Sequence, residues 1–163
     1  MPSPKEQYLD VFKQECATTL KLMRAYPADK PDFQPHPRSS TAKKLIHTFG
    51  VEQGVVAAAI NGTLNMTGGF PPEPATLGDA IAAFDKGRNE VEQALAKAKD
   101  SRLNESVQFF TGPKQMGDVP IMGLMWMMLM DQVHHRGQLS VYIRMAGGKV
   151  PSIYGPSADE PWM

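Results

Sequence analysis

Apolar residues recur at helical spacing in four stretches of the chain, separated by breaks rich in proline and glycine. The first stretch opens at Ser3-Pro4-Lys5-Glu6, where Ser3 suits an N-cap, Pro4 the first helical position and Glu6 the far side of a capping box. Tyr8, Phe12, Cys16, Thr19 and Met23 then fall on one face, and Pro27 ends the helix. Residues 26–38 hold four prolines and read as an extended loop. A second helix is predicted from Ser39 or Ser40, with Ala42, Leu45, Ile46, Phe49, Val56, Ala59 and Ile60 along its apolar face, ending before Gly68. A third opens at Thr76, with Asp79 three residues on, and carries Leu77, Ile81, Phe84, Val91, Leu95 and Ala98. Residues 101–118 fit a short strand, a short helix or a covering loop. The fourth helix is expected to follow Asp118 as N-cap and to run to about Ala146, where Gly147-Gly148 stops it. The remaining residues, rich in Pro and Gly, are expected to drape over the helices. Four long helices with no firm strand imply an all-α, four-helix-bundle fold with residues 1–163 as one domain.

The fourth helix breaks its own pattern. Ile121, Leu124, Met125 and Met128 define an apolar face; Asp131, Gln132, His135 and Gln138 continue it; Leu139, Tyr142 and Met145 restore it. A buried polar group without a partner costs about 1–3 kcal/mol, and an unpaired charge costs more. The polar middle of this stripe therefore needs partners or a wet cavity. Asp131 and His135, four residues apart, lie one turn apart on one face and can share a cation, or simply bond to each other. A third ligand must come from another element. His47, among Ile46, Val51 and Ala58 on the second helix, is the natural candidate, although a lone histidine on an apolar face is more often a satisfied core residue. Gln138, one turn after His135, can support a ligand or bond between helices. Glu52, five residues from His47, points away from that histidine's row and reads as a surface charge. Arg136 and Arg144 suit either a substrate carboxylate or the acids Asp159 and Glu160 near the chain's end.

Composition narrows the function classes. Seventeen basic and seventeen acidic residues balance, which gives no electrostatic reason for nucleic acid or an anionic membrane as partner. The single cysteine, Cys16, excludes an internal disulfide. The apolar run from Ile121 to Met130 is about half the ~20 residues of a membrane span. With no apolar run in Met1-Pro2-Ser3-Pro4-Lys5-Glu6, a soluble cytoplasmic protein is expected. There is no Gly-rich phosphate loop, and Cys16 has no identifiable base beside it.

The sequence His134-His135-Arg136-Gly137-Gln138-Leu139, followed by Tyr142, Arg144 and Pro151-Ser152-Ile153-Tyr154-Gly155-Pro156, resembles the signature of the DinB/YfiT superfamily of metalloenzymes. The stretch from Arg38-Ser39-Ser40 through Leu45-Ile46-His47 to Glu52 is similar to that superfamily's second-helix histidine motif, and helix number and order agree over essentially the whole chain. The resemblance implies a bundle of non-simple topology that holds a divalent metal, usually zinc or nickel. Its ligands would be His47, His135 and the residue four before it, usually histidine and here Asp131, with His134 as fallback. A carboxylate at that place also admits manganese or iron. Three protein ligands leave an open position, the pattern of a catalytic site. Related members are thiol-dependent transferases and isomerases. The resemblance thus implies a small-molecule transferase with a low-molecular-weight thiol as cosubstrate, with a metal-dependent hydrolase or a non-catalytic binding module as alternatives. It also makes a homodimer plausible.

Overall fold

In the computed structural model, which describes residues 1–163, Ser3 caps the first helix as its sequence requires. The Glu6 N–H donates to Ser3 Oγ at 3.2 Å, and the Ser3 N–H donates to Glu6 Oε2 at 2.6 Å. Helix α1 runs Pro4–Ala25 and buries Tyr8, Phe12, Cys16, Thr19 and Met23, the predicted stripe. Helix α2 runs Ala42–Asn61. Its cap is Thr41, one residue beyond the expected serines, and it stops at Gly62, whose φ of 75° is the left-handed conformation that glycine adopts without strain. The predicted extension towards Gly68 is therefore a loop, residues 62–76. Helix α3, Leu77–Lys97, opens on the Thr76–Asp79 capping box.

The ambiguous stretch resolves into two elements. A helical turn, α4, spans Asp100–Leu103, and an antiparallel hairpin follows: β1, Ser106–Gly112, and β2, Gln115–Pro120. Phe109 and Val119 anchor the hairpin to the core. The expectation that Asp118 caps the fourth helix is corrected here. Asp118 lies in β2 opposite Gln108, whose side-chain amide donates to its carboxylate. The strand continues through Pro120, and helix α5, Ile121–Met145, starts without a side-chain cap. Its first N–H donates instead to the Glu105 carbonyl at 2.9 Å.

The four long helices form a bundle in which α2 packs on α3 and α5, and α1 packs on α5 and α3. The successive helices α1 and α2 are thus diagonal, joined by the proline-rich loop rather than a tight turn. The chain's end is strapped down as expected. Arg144 pairs with Asp159, Lys21 pairs with Glu160 at 2.8 Å, and Tyr154 bonds Glu15 at 2.8 Å. No helix is long and apolar enough to cross a membrane.

Two positions expose how tightly the core is built. A Cβ added to Gly87 of α3 would stand 2.7 Å from Gln53 Cβ of α2. Ala normally stabilises a helix over Gly by about 1 kcal/mol. Here the contact is close to backbone and cannot swing away, so overpacking at about 1–3 kcal/mol and disturbance of the buried Gln53 bond outweigh that gain. Gly87→Ala is expected to lower the urea unfolding free energy by about 2 kcal/mol; a gain in stability would show that α2 and α3 can separate freely.

Cys16 is fully buried, and burial pushes its thiol from about 9 up to about 12. Burial raises the Tyr8 hydroxyl as well. A raised folded value means that the native state holds the proton longer. The contribution is therefore intact below about 9 and is lost as pH climbs towards 12. Stability should fall over that window by at most about 1.4 kcal/mol per pH unit for each group. Cys16→Ala should flatten the slope by one group's share, read by urea titrations at a series of alkaline pH values.

Candidate metal centre

Glu52 faces the bundle, not solvent. It is 4% exposed, so the reading of Glu52 as a surface charge is corrected. Measured against its own row, it lies three residues after Phe49 and four before Val56, both on the apolar stripe of α2. Across from it stands His135 of α5, whose Nδ1 is 2.9 Å from Glu52 Oε1 and 3.8 Å from Asp131 Oδ1. Glu52, Asp131 and His135 each present one donor atom, and these atoms lie within 4.8 Å of one another. Two metal–ligand bonds span at most about 4 Å, so small side-chain movements would bring all three onto one cation.

Electrostatics match the geometry. Burial pushes the Glu52 carboxyl up to about 7, although the His135 hydrogen bond pulls the other way. That same bond to Glu52 raises the His135 imidazole, against the effect of its own partial burial. The other Glu52 oxygen, Oε2, is buried without a partner. A buried carboxylate with one oxygen unanswered is a site that a cation would complete. The donor set of two carboxylates and one imidazole suits a divalent ion of hard or borderline character.

The structure separates the predicted site residues. Asp131 and His135 come together as expected. His47 stands outside the group of facing donors: its Nε2 lies 3.1 Å from the Pro71 carbonyl and its Nδ1 is buried without a partner. A carbonyl only accepts, so Nε2 carries the hydrogen that meets it. Gln138 bonds His134, Nε2 to Nε2 at 2.9 Å, and not His135.

Two clefts adjoin these residues. The first, about 460 Å³, is lined by His47, Thr48, Glu52 and Asp131 with an apolar wall of Val51, Val55, Phe70, Pro71 and Met128, and by the charged Lys44 and Glu73. The second, about 450 Å³, is lined by Ser39, Ser40, Thr48, His135, Gln138 and Tyr142, among others. Pro71 and Phe70 belong to the loop after α2, and the His47 bond holds that loop against the first cleft.

Beneath the clefts lies a buried polar layer that sequence reasoning divided wrongly. Gln132 turns into the core, taking a bond from Gln53 Nε2 at 2.8 Å and donating to Thr19 Oγ1 at 3.0 Å. Arg136, placed by sequence at a substrate or at Asp159 and Glu160, is 1% exposed and pairs with Glu15 at 2.6 Å. It also donates to the Tyr154 hydroxyl and the Glu15 carbonyl. Gln132 and Arg136 are four apart and make their own row facing α1. Arg144 does bond Asp159, one of the acids expected for it.

Comparison with known proteins places the chain in context. A model of the DinB family matches residues 1–162. The uncharacterized protein YrdA of Bacillus subtilis is 25% identical over 156 residues, covering 95% of this chain and 90% of that protein. Among solved structures, a DinB-like protein from Bacillus cereus superposes with a TM-score of 0.73 at 20% identity, over 90% of this chain and 95% of the other. The DinB-like protein YjoA of Bacillus subtilis gives 0.69 at 17% identity, over 96% and 99%. These likenesses show the fold, the expected four-helix bundle.

Removing one partner of a buried ion pair strands the other and costs about 3–5 kcal/mol. Arg136→Met is expected to lose about 3 kcal/mol in urea unfolding, whereas Tyr154→Phe, which removes one hydroxyl, should lose about 1 kcal/mol. Equal, small losses would show that Arg136 is not the pin between α1, α5 and the strap.

Proposed function

The chain belongs to the DinB family, and from that premise and the three facing donors we propose that it is a divalent-metal-dependent enzyme, a transferase that uses a small thiol as cosubstrate. The observation that carries the reading is the convergence of Glu52, Asp131 and His135 from two helices on one point at a cleft wall. The unpartnered Glu52 Oε2 supports it further.

Glu52, Asp131 and His135 would hold the ion. Two carboxylates and one imidazole are harder than the three imidazoles usual in the resembling motif, which keeps zinc as an occupant and admits manganese or iron. When bound, a divalent cation supplies Lewis acidity that favours the deprotonated form of a thiol at neutral pH. The chain's own residues do the rest. The Glu52–His135 pair holds a proton between Oε1 and Nδ1, one that these ligands would give up in taking a divalent ion. His47, held to the Pro71 carbonyl through Nε2, fixes the loop that forms one wall of the first cleft. Val51, Val55, Met128 and Phe70 exclude water from an apolar electrophile.

The test is metal content by mass spectrometry after purification without added metal, followed by affinity titration. Wild type should carry about one ion per chain. Glu52→Gln and His135→Ala should each weaken binding roughly tenfold or more, whereas His47→Ala should hold the ion within a few-fold of wild type. Equal metal in wild type, Glu52→Gln and His135→Ala would dismiss the site. Turnover of an electrophile only with added thiol supports the transferase; the same turnover without thiol would reassign the centre to hydrolysis.

A further inference from the structure

The Glu52–His135 hydrogen bond joins the two clefts. Glu52 lines the first and His135 the second, while Thr48 lines both and divides them. The clefts differ in chemistry. Around the first, an apolar wall of Val51, Val55, Phe70 and Met128 adjoins charged groups, the Glu52, Glu73 and Asp131 carboxylates and the Lys44 ammonium; the second carries hydroxyls, an amide and the His135 ring beside Leu45 and Val141, and no Lys, Arg, Asp or Glu borders it.

The polar groups of the second cleft have capacity to spare. Ser39 and Ser40 are held through their backbone carbonyls, which accept from Gln34 Nε2 at 2.9 Å and from the Tyr142 hydroxyl at 2.9 Å. Their side-chain hydroxyls are thus left to turn towards a ligand. The Tyr142 oxygen, having donated its hydrogen, still offers lone pairs. Gln138 gives its amide hydrogen to His134 and keeps its carbonyl oxygen as an acceptor. Thr48, donating to the Lys44 carbonyl at 3.1 Å, likewise keeps an accepting oxygen. The one basic group on this wall, His135, is already paired with Glu52, so the wall rewards a neutral hydrogen-bonding ligand and leaves a carboxylate or phosphate without a free counter-charge.

We propose that the second cleft is a separate ligand site for a neutral, hydroxyl- or amide-bearing molecule, occupied at the same time as an apolar ligand in the first cleft, with the two meeting across Thr48 at the Glu52–His135 pair. This deepens the two-reactant reading above: the polar cleft takes the body of the thiol cosubstrate and the apolar cleft takes the electrophile. Its test needs no metal, so failure here and failure of the metal site are told apart.

The experiment is amide NMR titration of the metal-free protein with three probes. These are 1-thioglycerol, a neutral diol thiol; mercaptosuccinate, a dianionic thiol; and toluene. 1-Thioglycerol should shift the Ser40 and Gln138 amides with millimolar affinity, and toluene should shift those of Val55 and Phe70. Saturating toluene should change the 1-thioglycerol affinity less than about threefold, and mercaptosuccinate should bind at least tenfold more weakly. Gln138→Phe, a change at an exposed position that fills the second cleft, should abolish the 1-thioglycerol shifts and leave the toluene shifts intact. Competition between the two neutral probes would overturn the proposal. So would 1-thioglycerol shifts confined to the first cleft or absent altogether, equal binding of the dianion, or unchanged 1-thioglycerol binding in Gln138→Phe.

Discussion

A carboxylate taken out of water on α2 and an imidazole placed against it on α5 form the interaction on which the rest of this molecule turns. Glu52 is buried among the apolar groups that hold the bundle together, and the effective penalty for such a charge is several kcal/mol. His135 answers one oxygen; the other has no partner. Well-packed apolar side chains at the two positions would serve the fold as well or better. The pair therefore costs stability, and its unanswered oxygen is the feature a cation would satisfy.

The pair can exist because its sequence neighbours lock it in place. Gln53 follows Glu52 and Arg136 follows His135. A step of one residue turns about 100° around a helix, so when one neighbour faces the cleft the next faces the core. Gln53 bonds Gln132 and sets α2 against α5; Arg136 bonds Glu15 and Tyr154 and sets α5 against α1 and the strap. Gln132 joins both halves through Thr19, which also accepts from Arg136 at 3.4 Å. Such a layer defines relative helix position more sharply than apolar contact, which tolerates sliding. The Asp131–His135 half of the site is thus referenced to three other segments of the chain.

Much of this was legible from pattern alone. The capping boxes at Ser3 and Thr76 announced two helix starts because their chemistry is local. The polar break on the fourth helix announced a partner, since no run of Asp131, Gln132 and His135 can be buried unanswered. What failed was long-range. Asp118 has the right chemistry for a cap, but the hairpin pairing of residues 106–120 claimed it first. Glu52 was judged by its distance from His47 rather than by its own row, Phe49 and Val56. That row is the signal that would have found it. Arg136 reads from sequence as a partner for a substrate carboxylate or for Asp159 and Glu160, because a buried guanidinium cannot be told from an exposed one until Glu15 and Tyr154 are known to converge on it. Spacing on the fourth helix supplied Asp131 and His135, and the resemblance to the DinB/YfiT pattern pointed to the same two positions. Its histidine at position 47 meets a loop carbonyl instead of the facing donors.

The choice of donors also bears on what the site can select. Three neutral imidazoles leave a divalent ion its full charge, which attracts anions indiscriminately. If an ion were bound here, the Glu52 and Asp131 carboxylates would offset its charge. A centre balanced in this way adds little long-range pull on a charged reactant. Discrimination would then fall to the walls, which divide at Thr48 into an apolar surface edged by Lys44 and Glu73 on one side and a hydrogen-bonding surface with no Lys, Arg, Asp or Glu on the other. The exchange of an imidazole for a carboxylate at Asp131 and the lack of cationic side chains around the second cleft are consistent with each other. Both suit reactants recognised by shape and hydrogen bonding rather than by charge.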